Sequence, residues 1–152
     1  MIRHGERLDD SHRVSQEEKD TTKVEYHLDI PLSANGKKQA VETGRFLKSY
    51  LEQALGSSSA EFDVQFYSSP YLRCLQTVSG VISGLGKPGE VTVREELSEM
   101  QIGNLNDECR IANLVINQYQ SDEKRLEFFK EYLPEYPEQK ISYLRNYGVK
   151  DG

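Results

Sequence analysis

Asp63-Val64-Gln65-Phe66-Tyr67-Ser68-Ser69-Pro70-Tyr71-Leu72-Arg73-Cys74-Leu75-Gln76-Thr77 changes its hydrophobic period part-way along. Residues 63–68 alternate and are rich in strand formers, which predicts a short strand. A helix is expected to start near Pro70, because proline is well tolerated in a first turn. Leu72, Leu75, Val78, Ile82 and Leu85 then form one apolar stripe, and Gly84, Gly86 and Pro88 stop it. Val91-Thr92-Val93-Arg94 supplies the next strand. Strand, helix and strand in that order predict a parallel sheet covered by helices.

The rest of the chain is read outward from this unit. Pro31-Leu32-Ser33-Ala34-Asn35-Gly36 opens an earlier helix with Ser33 as N-cap. Its stripe is Ala40, Gly44, Leu47, Leu51 and Leu55, and Gly56 with Ser57 to Ser59 ends it. Met1 to Arg3 read as the last residues of a strand. Leu8 to Pro31 is polar and aperiodic, so it reads as a long loop of the kind that serves as a lid or stays disordered. The charge run Gln16-Glu17-Glu18-Lys19-Asp20 within it reads as a solvated surface. Beyond Asn106 the pattern weakens: Ser121 to Leu133 looks helical, and the tyrosine-rich tail to Gly152 closes without an obvious final strand.

Composition narrows the classes of function. The chain has 152 residues, enough for one domain with a core. With 25 acidic against 19 basic side chains its formal net charge is −6, so no general attraction to nucleic acid or anionic membrane is expected. No apolar run approaches the length of a transmembrane helix or a signal-peptide core, and a cytoplasmic location is the expectation. Cys74 and Cys109 fit neither a metal-ligand spacing nor a disulfide framework and read as reduced thiols. No metal and no cofactor are expected.

Three clusters could carry chemistry, each where a strand ends or a helix begins, which is where ligands bind in open α/β sheets. They are Arg3-His4-Gly5-Glu6-Arg7, Ser68 to Thr77, and Leu97-Ser98-Glu99-Met100-Gln101-Ile102-Gly103-Asn104-Leu105. A histidine flanked by arginines suits attack on a phosphoryl group by an imidazole nitrogen. Taken singly, such a histidine is more often structural, and such an arginine is usually solvated.

Together these blocks resemble the histidine phosphatase superfamily, also called phosphoglycerate-mutase-like. Arg3-His4-Gly5 is similar to its Arg-His-Gly signature. Pro31 to Ala40 is similar to a Pro-Leu-Thr/Ser-x-x-Gly-x-x-Gln-Ala segment. Ser69 to Thr77 is similar to its Ser-Pro-x-x-Arg-x-x-Gln-Thr block. Leu97-Ser98-Glu99, with Gly103 and Leu105, is similar to its Leu-x-Glu-x-x-x-Gly-x-Leu/Trp block. The Arg-His-Gly-Glu-Arg form resembles the phosphatase branches, including the ubiquitin-associated, SH3-containing tyrosine phosphatases, more than glycolytic mutases. The four blocks occur in order over residues 1–107.

The resemblance implies a three-layer α/β/α fold with a mainly parallel sheet. It is expected to be incomplete at both ends, a single partial domain over residues 1–152. It also implies a phosphomonoesterase. His4 attacks phosphorus and becomes a phosphohistidine, which splits one hard displacement into two easier ones. Arg3, Arg7 and Arg73 bind the phosphoryl oxygens through charge-assisted hydrogen bonds and stabilise the spread of negative charge. Glu99 gives its proton to the departing oxygen and then activates water. Asp9 or Asp10 could orient a ring nitrogen or contact substrate, with a solvated loop as the alternative.

One part of the family pattern is missing. The superfamily carries a second histidine on a later strand, whereas this chain has only His4, His12 and His27. His12 and His27 match no family position and read as surface residues. Three functions therefore stand open: the phosphatase, a non-catalytic phosphate-binding or interaction module, and a phosphoglycerate-mutase-type phosphotransferase. The expected partner is a phosphorylated small molecule or phosphoprotein, and the oligomeric state is open.

Overall fold

The computed structural model describes residues 1–10, 12–22, 30–56, 63–69, 71–87, 89–94 and 97, together with the backbone of 140–143. Among the described residues the sheet has three parallel strands, in the order β1 (Phe66–Ser68), β2 (Glu90–Val93) and β3 (Lys140–Tyr143). Phe66 pairs with Val91 and Ser68 with Val93, while Val91 and Val93 pair with Ile141 and Tyr143 on the other side. The ladder between β1 and β2 continues into Arg94, whose N–H reaches Ser68 O at 2.8 Å.

Between β1 and β2 the chain crosses over through α3 (Leu72–Leu85). A parallel connection of this kind requires the covering helix that the apolar stripe predicts. Leu75 and Ile82 of α3 meet Val91 and Val93 of β2 in the core, with Phe66 and Val78 packed at its edge. The opposite face of the sheet carries Tyr67, which is exposed. The α/β class and the parallel sheet are thus as expected, and helix covers one face among the described residues.

Helix α2 (Ala34–Leu55) packs on α3 rather than on the sheet. Ser33 caps it by accepting the Gly36 N–H at 3.0 Å, and Gly56 closes it in the left-handed conformation at φ 64°. The two helices touch through glycines. A Cβ on Gly44 would sit against the Val81 carbonyl and 2.9 Å from both Gly84 Cα and Leu85 N. A Cβ on Gly84 would press on the Val41 carbonyl in return. Backbone therefore meets backbone, and Gly44→Ala must push the helices apart. We expect it to lower stability by about 1–3 kcal/mol, read as a shift in the urea midpoint. The exposed neighbour Gln53→Ala should stay within about 0.5 kcal/mol of wild type. An unchanged midpoint for Gly44→Ala contradicts this packing.

Several expectations are corrected. Residues 1–6 form no strand: the Gly5 and Glu6 N–H groups donate to side chains, and Arg7 makes a lone antiparallel bridge with Leu32. The segment from Leu8 to Pro31 holds α1 (Gln16–Thr21), so it is not all loop. Its start was legible as Ser15-Gln16-Glu17-Glu18, a capping signature, and Ser15 Oγ accepts the Glu18 N–H at 3.2 Å. Glu18 is not merely solvated either. Its Oε1 accepts the Ala34 N–H at 2.6 Å, satisfying one of the orphan donors in the first turn of α2.

The stripe of α2 is buried only at its start. Ala40 is 2% exposed, whereas Leu55 is 55% exposed, because α3 covers the N-terminal half and not the last turn. The tail also supplies a strand after all, β3, whose four residues are too few to read without knowing that β2 offers them an edge. The helix expected over Ser121 to Leu133 lies outside the described residues, as do Cys109 and His27. Cys74 is half-buried and in no disulfide.

Candidate active site

The Arg-His-Gly-Glu-Arg segment is tied to both helices by hydrogen bonds. Gly5 N donates to Thr77 Oγ1 at 3.1 Å, and the same hydroxyl donates to Arg73 O at 2.8 Å. One hydroxyl has a donor and two lone pairs, so it can serve both. Thr77 thereby couples the residue after His4 to the carbonyl of Arg73 at the start of α3. No side chain could be added at the crossing with α2, since a Cβ on Gly5 would lie 2.6 Å from Gly36 O.

Glu6 is the clamp on the other side. Its N–H donates to Gln39 Oε1 at 2.9 Å, and its carbonyl accepts the Ser33 N–H at 3.0 Å. Its carboxylate accepts from Ser33 Oγ at 2.6 Å and from Asn35 Nδ2 at 3.1 Å. Ser33 thus caps α2 and holds the motif with a single hydroxyl. Leu8 N donates to Pro31 O at 2.9 Å, and Leu32 N donates to Gln76 Oε1 at 2.7 Å. Gln76 is buried, so Gln76→Ala strands the buried Leu32 N–H. The expected cost is about 1–3 kcal/mol in a denaturant titration; a cost near zero would show the bond to be dispensable.

His4 is half-buried, and its Nδ1 lies 2.8 Å from Gly5 O. A carbonyl can only accept, so Nδ1 is the donor in this contact, and in the neutral ring that tautomer places the lone pair on Nε2. Neither Asp9 nor Asp10 orients this ring. Asp10 accepts from His12 N at 3.0 Å and faces Arg13 at 3.9 Å. Asp9 is paired with Arg7 instead, through Nε to Oδ1 at 2.8 Å and through Nη2 to Oδ2.

Arg73 departs most from the usual behaviour of a first-turn arginine. It is only 4% exposed, and its guanidinium lies 4.1 Å from the centre of the buried Tyr71 ring. A cation kept from water is costly unless stacked and bonded, and the weakly hydrated guanidinium is the cation that tolerates this best. Arg3 is exposed, and no hydrogen bond or ion pair holds its side chain among the described residues. Glu99 lies outside the described residues. Among the described residues, no three His, Cys, Asp or Glu side chains gather as a metal site, and no helix is long and apolar enough to cross a membrane.

An open groove of about 540 Å³ between α1 and α2 is lined by Glu18, Leu32, Lys37, Val41 and Arg45. It does not include His4, Arg7 or Arg73.

Residues 1–135 match the model of the histidine phosphatase superfamily (branch 1). The chain belongs to the histidine phosphatase superfamily. The superfamily match extends past residue 107, where the motif blocks stop. The chain is similar to the phosphoglycerate mutase-like protein AT74H of Arabidopsis thaliana, at 34% identity over 85 residues. That alignment covers 54% of this chain and 30% of the plant protein, so the chain spans under a third of that relative. A solved structure of ecdysone phosphate phosphatase, EPPase, from Bombix mori in complex with tungstate is also similar. Its TM-score is 0.47 at 17% identity, covering 93% of this chain and 69% of the other.

Within the superfamily blocks, sequence reasoning named His4, Arg3, Arg7 and Arg73 but assigned no role to the residues that hold them. Gln39, Gln76 and Thr77 were in the quoted blocks, and Glu6 was in the opening motif. Polar side chains recurring inside such blocks were the available signal; their partners lie too far away in sequence to be read.

Proposed function

We propose that the chain performs phosphomonoester hydrolysis through a phosphohistidine on His4. The observation that carries this reading is the Gly5–Thr77–Arg73 bridge, together with the His4 Nδ1 contact to Gly5 O. The bridge joins the backbone beside His4 to the backbone of Arg73, which supports a site shared by the imidazole and the buried guanidinium.

In the first step Nε2 attacks phosphorus as the bond to the ester oxygen breaks. The departing alkoxide or phenoxide takes a proton from the Glu99 carboxyl. In the second step water attacks the phosphohistidine, its proton returns to Glu99, and inorganic phosphate leaves His4 free. Arg73, Arg7 and Arg3 stabilise the equatorial oxygens, where negative charge spreads in the transition state. The substrate is a phosphorylated small molecule or phosphoprotein.

A second reading rests on the arginines alone: Arg73 is buried and stacked on Tyr71 whether or not His4 reacts. On that reading it binds phosphate without turning it over. A mutase-type transfer shares the first step and differs in where the phosphoryl group ends. Incubation with an aryl phosphate separates all three. Release of inorganic phosphate supports hydrolysis, phosphorylation of an added acceptor supports transfer, and saturable phosphate binding without either supports the binding module.

A further inference from the structure

The pairing of Asp9 with Arg7 points to a role for a residue that the family motif leaves unassigned: we infer that Asp9 is a positioning residue, presenting Arg7 to the phosphoryl group. This rests on the proposed reading of Arg7 as a phosphate ligand. A guanidinium is a planar fork with five N–H donors. Asp9 takes one edge, with Oδ1 on Nε at 2.8 Å and Oδ2 on Nη2. That leaves the two hydrogens of Nη1 and the second hydrogen of Nη2, which form the adjoining end of the fork. Two parallel donors there match two oxygens of a phosphoryl group.

The backbone at Arg7 is already fixed. Arg7 bridges Leu32, Leu8 N is held by Pro31 O, and Arg7 O accepts the Asp10 N–H at 3.2 Å. The side chain is not fixed by burial, since Arg7 and Asp9 are 37% and 47% exposed. A pair this exposed adds little to folding, so its consequence is orientation rather than stability. Other duties for Asp9 are excluded by the neighbours. His4 Nδ1 is held by Gly5 O, and Arg13 and the His12 N–H face Asp10. The carboxylate also repels a phosphate, but it sits on the adjoining edge of the guanidinium in a solvated setting, where that repulsion is screened. Orientation therefore outweighs repulsion.

The test measures orthovanadate affinity and steady-state hydrolysis of an aryl phosphate for Asp9→Ala, Asp9→Asn, Arg7→Ala and the double variant. Asp9→Ala should weaken vanadate and raise KM about five- to tenfold, melt like wild type, and leave no further effect in the Arg7→Ala background. Asp9→Asn, which keeps one acceptor, should fall between. Tighter vanadate binding in Asp9→Ala would make Asp9 a competitor and overturn the inference. Unchanged binding, or the same weakening without Arg7, overturns it as well. Arg73→Ala separates the two levels. If it binds vanadate normally, the phosphate-pocket reading itself fails; if it loses binding while Asp9→Ala does not, only the role of Asp9 fails.

Discussion

His4→Ala is expected to abolish turnover of an aryl phosphate, with kcat reduced at least about a thousand-fold, while vanadate affinity stays within a few-fold of wild type. The split follows from the geometry. In the proposed mechanism His4 supplies the attacking Nε2, but among the described residues its ring hydrogen-bonds only to the adjacent Gly5 carbonyl. The framework around it is held by the backbone of Gly5 and Glu6, with Thr77 and Gln39 as partners. Removing the ring therefore deletes the proposed nucleophile and leaves the proposed anion pocket standing. His4→Gln, closer in size, should be equally inactive. Residual turnover near wild type in either variant would exclude the phosphohistidine route.

The second large effect is expected at Arg73. Arg73→Ala should weaken phosphate and vanadate binding about a hundred-fold or more, because it removes a buried, charge-assisted donor from the proposed phosphate site. Arg73→Lys keeps the charge but loses the planar fork and its stacking on Tyr71, and should still lose about tenfold. Truncation of a buried side chain also costs folding stability, so thermal melts accompany both variants. Arg73→Lys that melts like wild type and yet binds poorly assigns the loss to geometry. Wild-type affinity in a folded Arg73→Ala contradicts the pocket.

Much of the fold was legible because its signals are local. The stripe of α3, the Ser33 cap and the glycine after Leu55 each depend on residues within a few positions of one another. What escaped depends on partners remote in sequence. Lys140–Tyr143 becomes a strand because β2 presents an edge to it, and α1 gains its contact because Glu18 reaches the first N–H of α2. The same division runs through the site. His4 and Arg73 were singled out by residue type and order. Their coupling through Thr77, and the hold of Glu6 on Ser33, Asn35 and Gln39, exist only once α2 and α3 cross. The burial of Arg73 runs against the expectation for a first-turn arginine and needed the third dimension. So did the partner of Asp9, which is Arg7 and not the ring of His4.

The central claim is that a phosphoryl group passes through Nε2 of His4. The most direct measurement quenches the chain in alkali during turnover of a phosphate ester, conditions under which a phosphorus–nitrogen bond survives, and maps the added mass by peptide analysis. One phosphoryl group on the peptide containing His4, absent from His4→Ala, is the predicted result. Release of inorganic phosphate with no phosphorylated His4 at any quench time, or a phosphoryl group that persists in His4→Ala, would contradict it.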